Sequence, residues 1–368
     1  MDFEPSESQR ELAALTRRIL DDHVTERRLR EVDESGVRLD RGLWQTLVET
    51  GVATAAAPES IGGSGLDLLE QCSVQIELGR AVAPAPYLEL AVTAVAIGYF
   101  GTDAQRARYA APALAGTLLL APALSEEGSD DAESPTTRAE RRDDDWILDG
   151  VKAMVPFGTV ADAFLVGADT PHGGAAFLVP RDADGLSIEA ERVVDGDTTA
   201  TLTLSHVRLG ADGYLGDSNV LHWVVSRAMI LLCAHQVGVL ERALELTAAY
   251  AREREQFGRP IGSFQAVAQR LADAYIDVEA ARLTMWEAAW RAANALSCPT
   301  EIATAKFWAA DAGHRVAHTA VHVHGGTGID LDAPTHRYFT AAKRNEFVLG
   351  SATAQLRKVG AYLAATPA

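Results

Sequence analysis

Two short segments carry side chains able to grip a ligand that is charged at one end and flat at the other. The first runs from Arg252 to Gln265 and contains Arg254-Glu-Gln-Phe257-Gly258 and Phe264-Gln265; the second is His322-Val-His-Gly325-Gly326. A dinucleotide presents a pyrophosphate that calls for a guanidinium or backbone N–H groups, and an adenine that calls for an apolar platform and an amide. Arg254, Phe257 and Gln265 supply those groups, and Gly325 with Gly326 lets backbone approach closely. Each residue also has a plainer reading: Arg254 as a solvated helix-end charge, Phe257 as a core plug, the glycine pair as a simple turn. Only the combination points to a dinucleotide.

Other constellations carry less. His314, His318 and His322 fall at i, i+4 and i+8, with His324 following, a spacing that invites zinc. No carboxylate or cysteine joins that stripe, so helix packing is expected and no metal. Trp286 and Trp290, four apart, read as a core stripe, and Glu241 as a helix-surface or interhelix charge.

These residues need long helices to position them. Helical spacing begins near Ser8, with Glu11 three positions on as a capping box, and runs through Leu12, Leu15 and Ile19. A second helix follows Asp40, burying Leu43, Trp44, Leu47 and Val48 and stopping at Gly51. After the turn-rich loop Pro58 to Gly65 the helical spacing resumes at Leu66, Leu69, Cys72 and Ile76. From about Ala121 to Gly216 the pattern changes to short strands. Trp146 to Leu148 and Val151 to Val155 flank Asp149-Gly150, a two-residue hairpin signal, and Ala163 to Val166, Ala176 to Val179 and Thr201 to Val207 read as further strands. The acidic stretch Ser125 to Asp145 reads as a solvated excursion. Four long helices follow: Val220 to about Arg254, Ser263 to about Leu296, Thr300 to about Val323, and one ending near Leu363. The expected class is α+β: an N-terminal helical domain over 1–120, a small β domain over 121–217 and a C-terminal four-helix bundle over 218–368.

Composition narrows the function. The chain has 368 residues, 48% of them apolar, enough for a large core. Its formal charge of −18 opposes binding to nucleic acid or an anionic membrane. Cys72, Cys233 and Cys298 are odd in number and widely spaced, so neither a disulfide framework nor a thiolate metal site is expected, and a reducing cytoplasm fits. The acidic, polar start at Met1 does not look like a signal peptide, and apolar runs such as Met229 to Ala234 fall far short of the roughly 20 residues of a membrane span.

The α/β/α order, with Arg254-x-x-Phe257-Gly between the first two C-terminal helices, resembles the acyl-CoA dehydrogenase family across essentially the whole chain. Pro58-Glu59 with Gly62-Gly63-x-Gly65, Phe264-Gln265, Gly325-Gly326-x-Gly328, Pro334 and Arg337-Tyr338 fall in family order. Within the family the chain is most similar to the smaller, non-catalytic subunits of actinobacterial steroid side-chain acyl-CoA dehydrogenases, which form α2β2 heterotetramers. The stretch Ala317 to Gly326 carries much of that likeness. The resemblance implies FAD as cofactor, with Arg254, Phe257, Gln265, His322, Gly325 and Gly326 reaching the FAD of a neighbouring subunit. It also implies a homologous catalytic partner, an acyl-CoA substrate and an external electron acceptor.

Removing an α-proton from a thioester needs a carboxylate beside the α-carbon. Most family members place that Glu before a Gly that here is Gly350, and the residue in its place is Leu349. A second group places it early in the first C-terminal helix, where this chain has Ala228, beside Arg227. The β domain departs as well: Leu124-Ser-Glu-Glu-Gly-Ser-Asp130 and Met154-Val-Pro156 stand where the family has a ring-holding loop and a Trp with a hydroxyl partner. The expected role is a non-catalytic subunit completing a partner's FAD site. The alternatives are a self-sufficient homotetramer using Glu346, three residues before Leu349, and a scaffold subunit that has lost both ligands.

Overall fold

The computed structural model describes residues 4–365, so the polar start at residues 1–3 lies outside the described residues. The chain opens with α1 (Glu7–His23), α2 (Glu26–Glu34), α3 (Arg41–Glu49), α4 (Leu68–Arg80), α5 (Tyr87–Phe100), α6 (Asp103–Gln105) and α7 (Ala111–Leu114). Strands β1 (Leu120–Ala123), β2 (Arg138–Arg142), β3 (Asp145–Val155), β4 (Ala163–Thr170), β5 (Gly173–Pro180), β6 (Leu186–Arg192), β7 (Thr198–Leu209) and β8 (Tyr214–Gly216) follow. The rest is α8 (Ser218–Glu253), a two-stranded ribbon β9 (Glu255–Gln256) and β10 (Arg259–Pro260), then α9 (Gln265–Ala293), α10 (Pro299–His324), α11 (Thr335–Phe347) and α12 (Ala352–Ala365). The described residues form two compact units. One holds residues up to Glu26, Cys72–Ala83 and everything from Ile230 on; the other holds Arg27–Gln71 and Pro84–Met229.

The first unit is helical. α1 does open with a capping box, but it is built by Ser6 and Gln9, not by Ser8 and Glu11: Gln9 N–H donates to Ser6 Oγ at 3.1 Å and Ser6 N–H to Gln9 Oε1 at 2.7 Å. The start falls two residues earlier because Gln9, at the buried edge of the helix, can reach back. α4 crosses α8 backbone to backbone. A Cβ on Gly79 would lie 2.1 Å from the His235 carbonyl oxygen, and one on Gly238 would lie 1.9 Å from that of Ile76, so only glycine fits there. Gln236 is fully buried beyond this crossing; its amide donates to Ala309 O and Ala342 O and accepts from Asn345 Nδ2 at 2.8 Å, tying α8 to α10 and α11. The buried face of α9 is Ala274, Val278, Ala281, Met285, Ala288 and Ala289, while Trp286 and Trp290 are half-buried beside it, because small residues allow the close approach of α10. The last expected helix is two, broken at the turn around Leu349 and Gly350. α8 is long and apolar enough to cross a membrane, but 83% of its most apolar window is buried inside the fold, as suits a core helix.

The second unit packs helices with the sheet. Asp40 caps α3, accepting from Gly42 and Leu43 N–H, and also takes a two-pronged contact from Arg28. The strand order is β6-β7-β3-β2-β4-β5-β8, with β1 added to β4 in parallel. Its core includes Leu148, Phe164, Val166, Phe177, Leu202 and Val207. Asp149-Gly150 is not a hairpin. β3 runs straight through it, and the irregularity is a bulge opposite, where β7 carries an extra residue with His206 at φ 55° and its N–H on Asp149 Oδ1 at 2.8 Å. Glycine is needed at 150 because Thr137 lies within 2.6 to 2.8 Å of where a Cβ would be. Nor is Ser125 to Asp145 wholly a solvated excursion: Arg138–Arg142 is a strand between β3 and β4, and Glu126 is buried. Charge alone hid both, since β2 has one buried residue, Ala139, and Glu126 has a buried partner.

Candidate functional site

The segment after α8 makes a compact ledge. α8 ends at Glu253, and the ribbon β9–β10 reverses at Phe257-Gly258, both in the left-handed region (φ 54° and 75°), as a two-residue hairpin turn requires. The turn holds the Phe257 side chain outward, 91% exposed, so it is no core plug. Its ring meets Phe264 edge-on at 6.2 Å, and the Arg259 guanidinium lies 4.2 Å over the other ring. Arg254 N–H donates to Tyr250 O and Ile261 N–H to Arg254 O, both at 2.8 Å, closing the base of the ribbon. The Tyr250 ring stacks on His324 at 4.4 Å, and His324, buried, pairs through Nδ1 with Ala320 O at 2.8 Å. The next residue, Gly325, turns the chain at φ 63°. One side chain, Tyr250, therefore joins the two segments that sequence reading singled out separately. Tyr250 was missed there, and His324 was weighed only as a metal ligand; the clue was an aromatic one helical turn before Arg254 and a His directly before the glycine pair.

Arg254, Phe257, Gln265, His322, Gly325 and Gly326 are all exposed on this unit. Gly326 has an ordinary φ and open space where a Cβ would go, so nothing inside the chain demands glycine there. A guanidinium, an exposed aromatic platform, an amide and an unobstructed glycine fit the pyrophosphate and adenine of a dinucleotide. Such an arrangement can bind and orient a ligand.

The acid–base candidates lie elsewhere. Leu349 sits in the turn between α11 and α12 at φ 57°, with Gln355 Nε2 donating to its carbonyl at 3.1 Å. Lys306, fully buried, donates to Asn345 O at 2.9 Å and Glu346 O at 3.2 Å, placing an ammonium on the last carbonyls of α11. Ala228 is buried within α8, and the Arg227 guanidinium lies 4.3 Å over the Trp223 ring. The Glu346 carboxylate is engaged: Lys343 Nζ donates to Oε2 at 2.5 Å, and Oε1 lies 3.3 Å from His314 Nδ1. Glu241 is an interhelix charge, its carboxyl pushed up by burial and pulled back by Arg282 and Arg80. The His314 ring lies 4.4 Å from that of His318 at a tilt of 42°, and burial, then His314 and Lys343, lowers the pKa of His318. Among the described residues no three metal-ligating side chains converge.

The β domain has a second polar ledge. Glu126 accepts from the N–H and hydroxyl of both Thr136 and Thr137 and from Lys152 Nζ at 2.6 Å. Burial pushes its carboxyl up, but the Lys152 charge and these hydrogen bonds outweigh burial and hold it at about 2. Burial draws the Lys152 ammonium down, and Glu126 opposes that. This pair sits under the strand edge where Ala153 N–H donates to Ser125 O at 3.0 Å. Next, Met154 bulges outward at φ 52°; its N–H donates to Glu191 Oε2 at 3.0 Å, and Thr201 Oγ1 donates to Glu191 Oε1 at 2.5 Å. Glu126, Lys152 and Glu191 were not found in the sequence, although a lysine at a core-facing position of β3 was a signal for the first pair.

Known proteins resemble the chain throughout. Sequence models of the acyl-CoA dehydrogenase N-terminal, middle and C-terminal domains match residues 6–117, 121–207 and 218–364. A protein named acyl-CoA dehydrogenase FadE27, from Mycobacterium tuberculosis, is 45% identical over 377 residues, covering 100% of both chains. A chain of the ChsE4-ChsE5 complex from Mycobacterium tuberculosis superimposes with a TM-score of 0.96 at 45% identity over 100% of each chain. A chain of the Tcur3481-Tcur3483 steroid ACAD does so with a TM-score of 0.93 at 40% identity over 98% of each.

Proposed function

The chain belongs to the acyl-CoA dehydrogenase family, and from that premise we propose that it is the non-catalytic subunit of an FAD-dependent acyl-CoA dehydrogenase, completing the FAD site of a homologous catalytic partner in an α2β2 assembly. The reaction is α,β-dehydrogenation of a CoA thioester. The steroid named for one similar structure suggests a steroid side chain as the acyl group. The observation that carries the reading is a contrast: the dinucleotide-gripping set is solvent-facing, while leucine and alanine hold the two positions where the family places its base.

FAD, when bound, supplies the hydride acceptor. In this chain Arg254 would hold the pyrophosphate, Phe257 and Gln265 the adenine, and the backbone at Gly325 and Gly326 would close on the ligand with His322 beside it. The partner would supply the carboxylate, and a separate acceptor would take the electrons onward. Use of Glu346 as the base is disfavoured by its ties to Lys343 and His314. The three free cysteines of the chain suit a reducing, cytoplasmic setting.

The test is the FAD content of this chain purified alone, set against the chain co-purified with a candidate catalytic subunit. Little flavin alone and about one FAD per heterodimer is the expected result. A lone chain that retains FAD, bleaches it on addition of acyl-CoA and loses that response on Glu346→Gln would replace this reading with a self-sufficient dehydrogenase.

A further inference from the structure

We propose that Glu191 and Pro156 decide which subunit's β domain receives the flavin ring: they close the Met154 ledge of this chain, leaving the partner's ledge as the only seat in each heterodimer. The inference rests on the half-site reading above. The pyrimidine edge of a flavin presents carbonyl oxygens and ring nitrogens that need N–H donors. Two of the donors along 153–156 are taken within the chain. Ala153 gives its N–H to Ser125 O, and Met154 gives its N–H to the Glu191 carboxylate. Val155 lies opposite Ala200 in the sheet with its side chain buried, and Pro156 has no N–H to give.

What the ledge offers outward is therefore an acceptor. Glu191 is bound on both oxygens, by Met154 N–H and by Thr201 Oγ1, so its position is set by the bulge it satisfies. A carboxylate carries only acceptor capacity, and fixed beside the seat it disfavours an electron-accepting ring. The helical unit and the β domain thus disagree about FAD: one offers donors and a platform, while the other has engaged the N–H groups of Ala153 and Met154 and has a proline at 156.

The decisive experiment counts FAD per heterodimer by flavin absorbance in the co-purified complex, for the wild type and for a variant carrying Glu191→Ser, Pro156→Ser and Met154→Trp. The wild type should hold about one, and the variant should rise toward about two. A variant that assembles and melts like the wild type yet stays at about one overturns the inference and leaves the half-site reading intact. A wild-type value near two, or a flavin-loaded lone chain, defeats the half-site reading itself. Should the triple variant fail to assemble, Glu191→Ser alone is read by hydrogen exchange at the Met154 amide. Exchange faster by about 10-fold or more supports the clamp; unchanged exchange overturns it.

Discussion

The ribbon after α8 and the bulge on β3 look alike in outline, since each is a short irregular segment at the edge of a packed unit with a residue forced to positive φ and a side chain held out to solvent. Phe257 and Met154 are the two side chains in question. Their surroundings differ in kind. Below Phe257 the chain closes on itself with backbone pairs and ring contacts, leaving the Arg254 and Gln265 side chains exposed. Below Met154 a buried ion pair fixes the strand, and Glu191 takes up the one donor the bulge exposes. The first segment leaves polar side chains open to a ligand, whereas in the second the chain has already engaged the Met154 donor.

That comparison can be broken most strongly from beneath. Lys152→Met leaves the Glu126 carboxylate buried without its counter-ion, and should lower stability by about 3–5 kcal/mol in denaturant unfolding. The same pair predicts a pH dependence. Because the folded-state pKa of Glu126 lies at about 2, below its ordinary 4.5, its contribution is fully present above the unfolded value and is lost as pH falls through the folded one. Unfolding curves taken from neutral pH down to about pH 2 should show this loss in the wild type and much less of it in Lys152→Met.

In the helical unit the matching interior test is Gly238→Ala. It drives a Cβ against the Ile76 carbonyl and should cost about 3 kcal/mol as α4 and α8 are forced apart, seen as a lowered melting temperature. On the surface the expected effect moves from stability to ligand. Arg254→Ala should leave the melting temperature of the lone chain unchanged but weaken FAD retention by the complex about 10- to 100-fold, the size of one charged hydrogen bond. Smallest of all, Phe257→Ala should change the stability of the lone chain by no more than about 0.5 kcal/mol, since its ring is almost wholly exposed. A larger loss would mean that Phe257 supports the ribbon itself and is not a free platform.

Much of the helical plan was legible because its signals are local. Asp40 as a cap, Gly51 as a stop and the apolar spacing after them need only neighbours in sequence. The proposed grip could be nominated for a similar reason: its residues cluster in two short segments. The β domain was read less well. β2 has five residues and one buried side chain, so no alternation announced it, and Asp149-Gly150 carried a hairpin signal that a bulge on another strand overrode. The Ser6 box displaced the Ser8 one because both patterns occur within three residues and the helix could start at only one.

By itself the sequence determined the α, then β, then α plan, the family, and the residue types at the proposed grip and at the two positions where the family places its base, since these follow from spacing and from chemistry carried within a few residues. Only the tertiary structure decided that Tyr250 and His324 join the two segments of the proposed grip, that Glu126 and Lys152 neutralise each other in the core, and that Glu191 occupies the Met154 amide. Each of those depends on which distant strand or helix is brought alongside. A hydrogen bond or ring contact between such residues forms only once packing has brought its partners within reach.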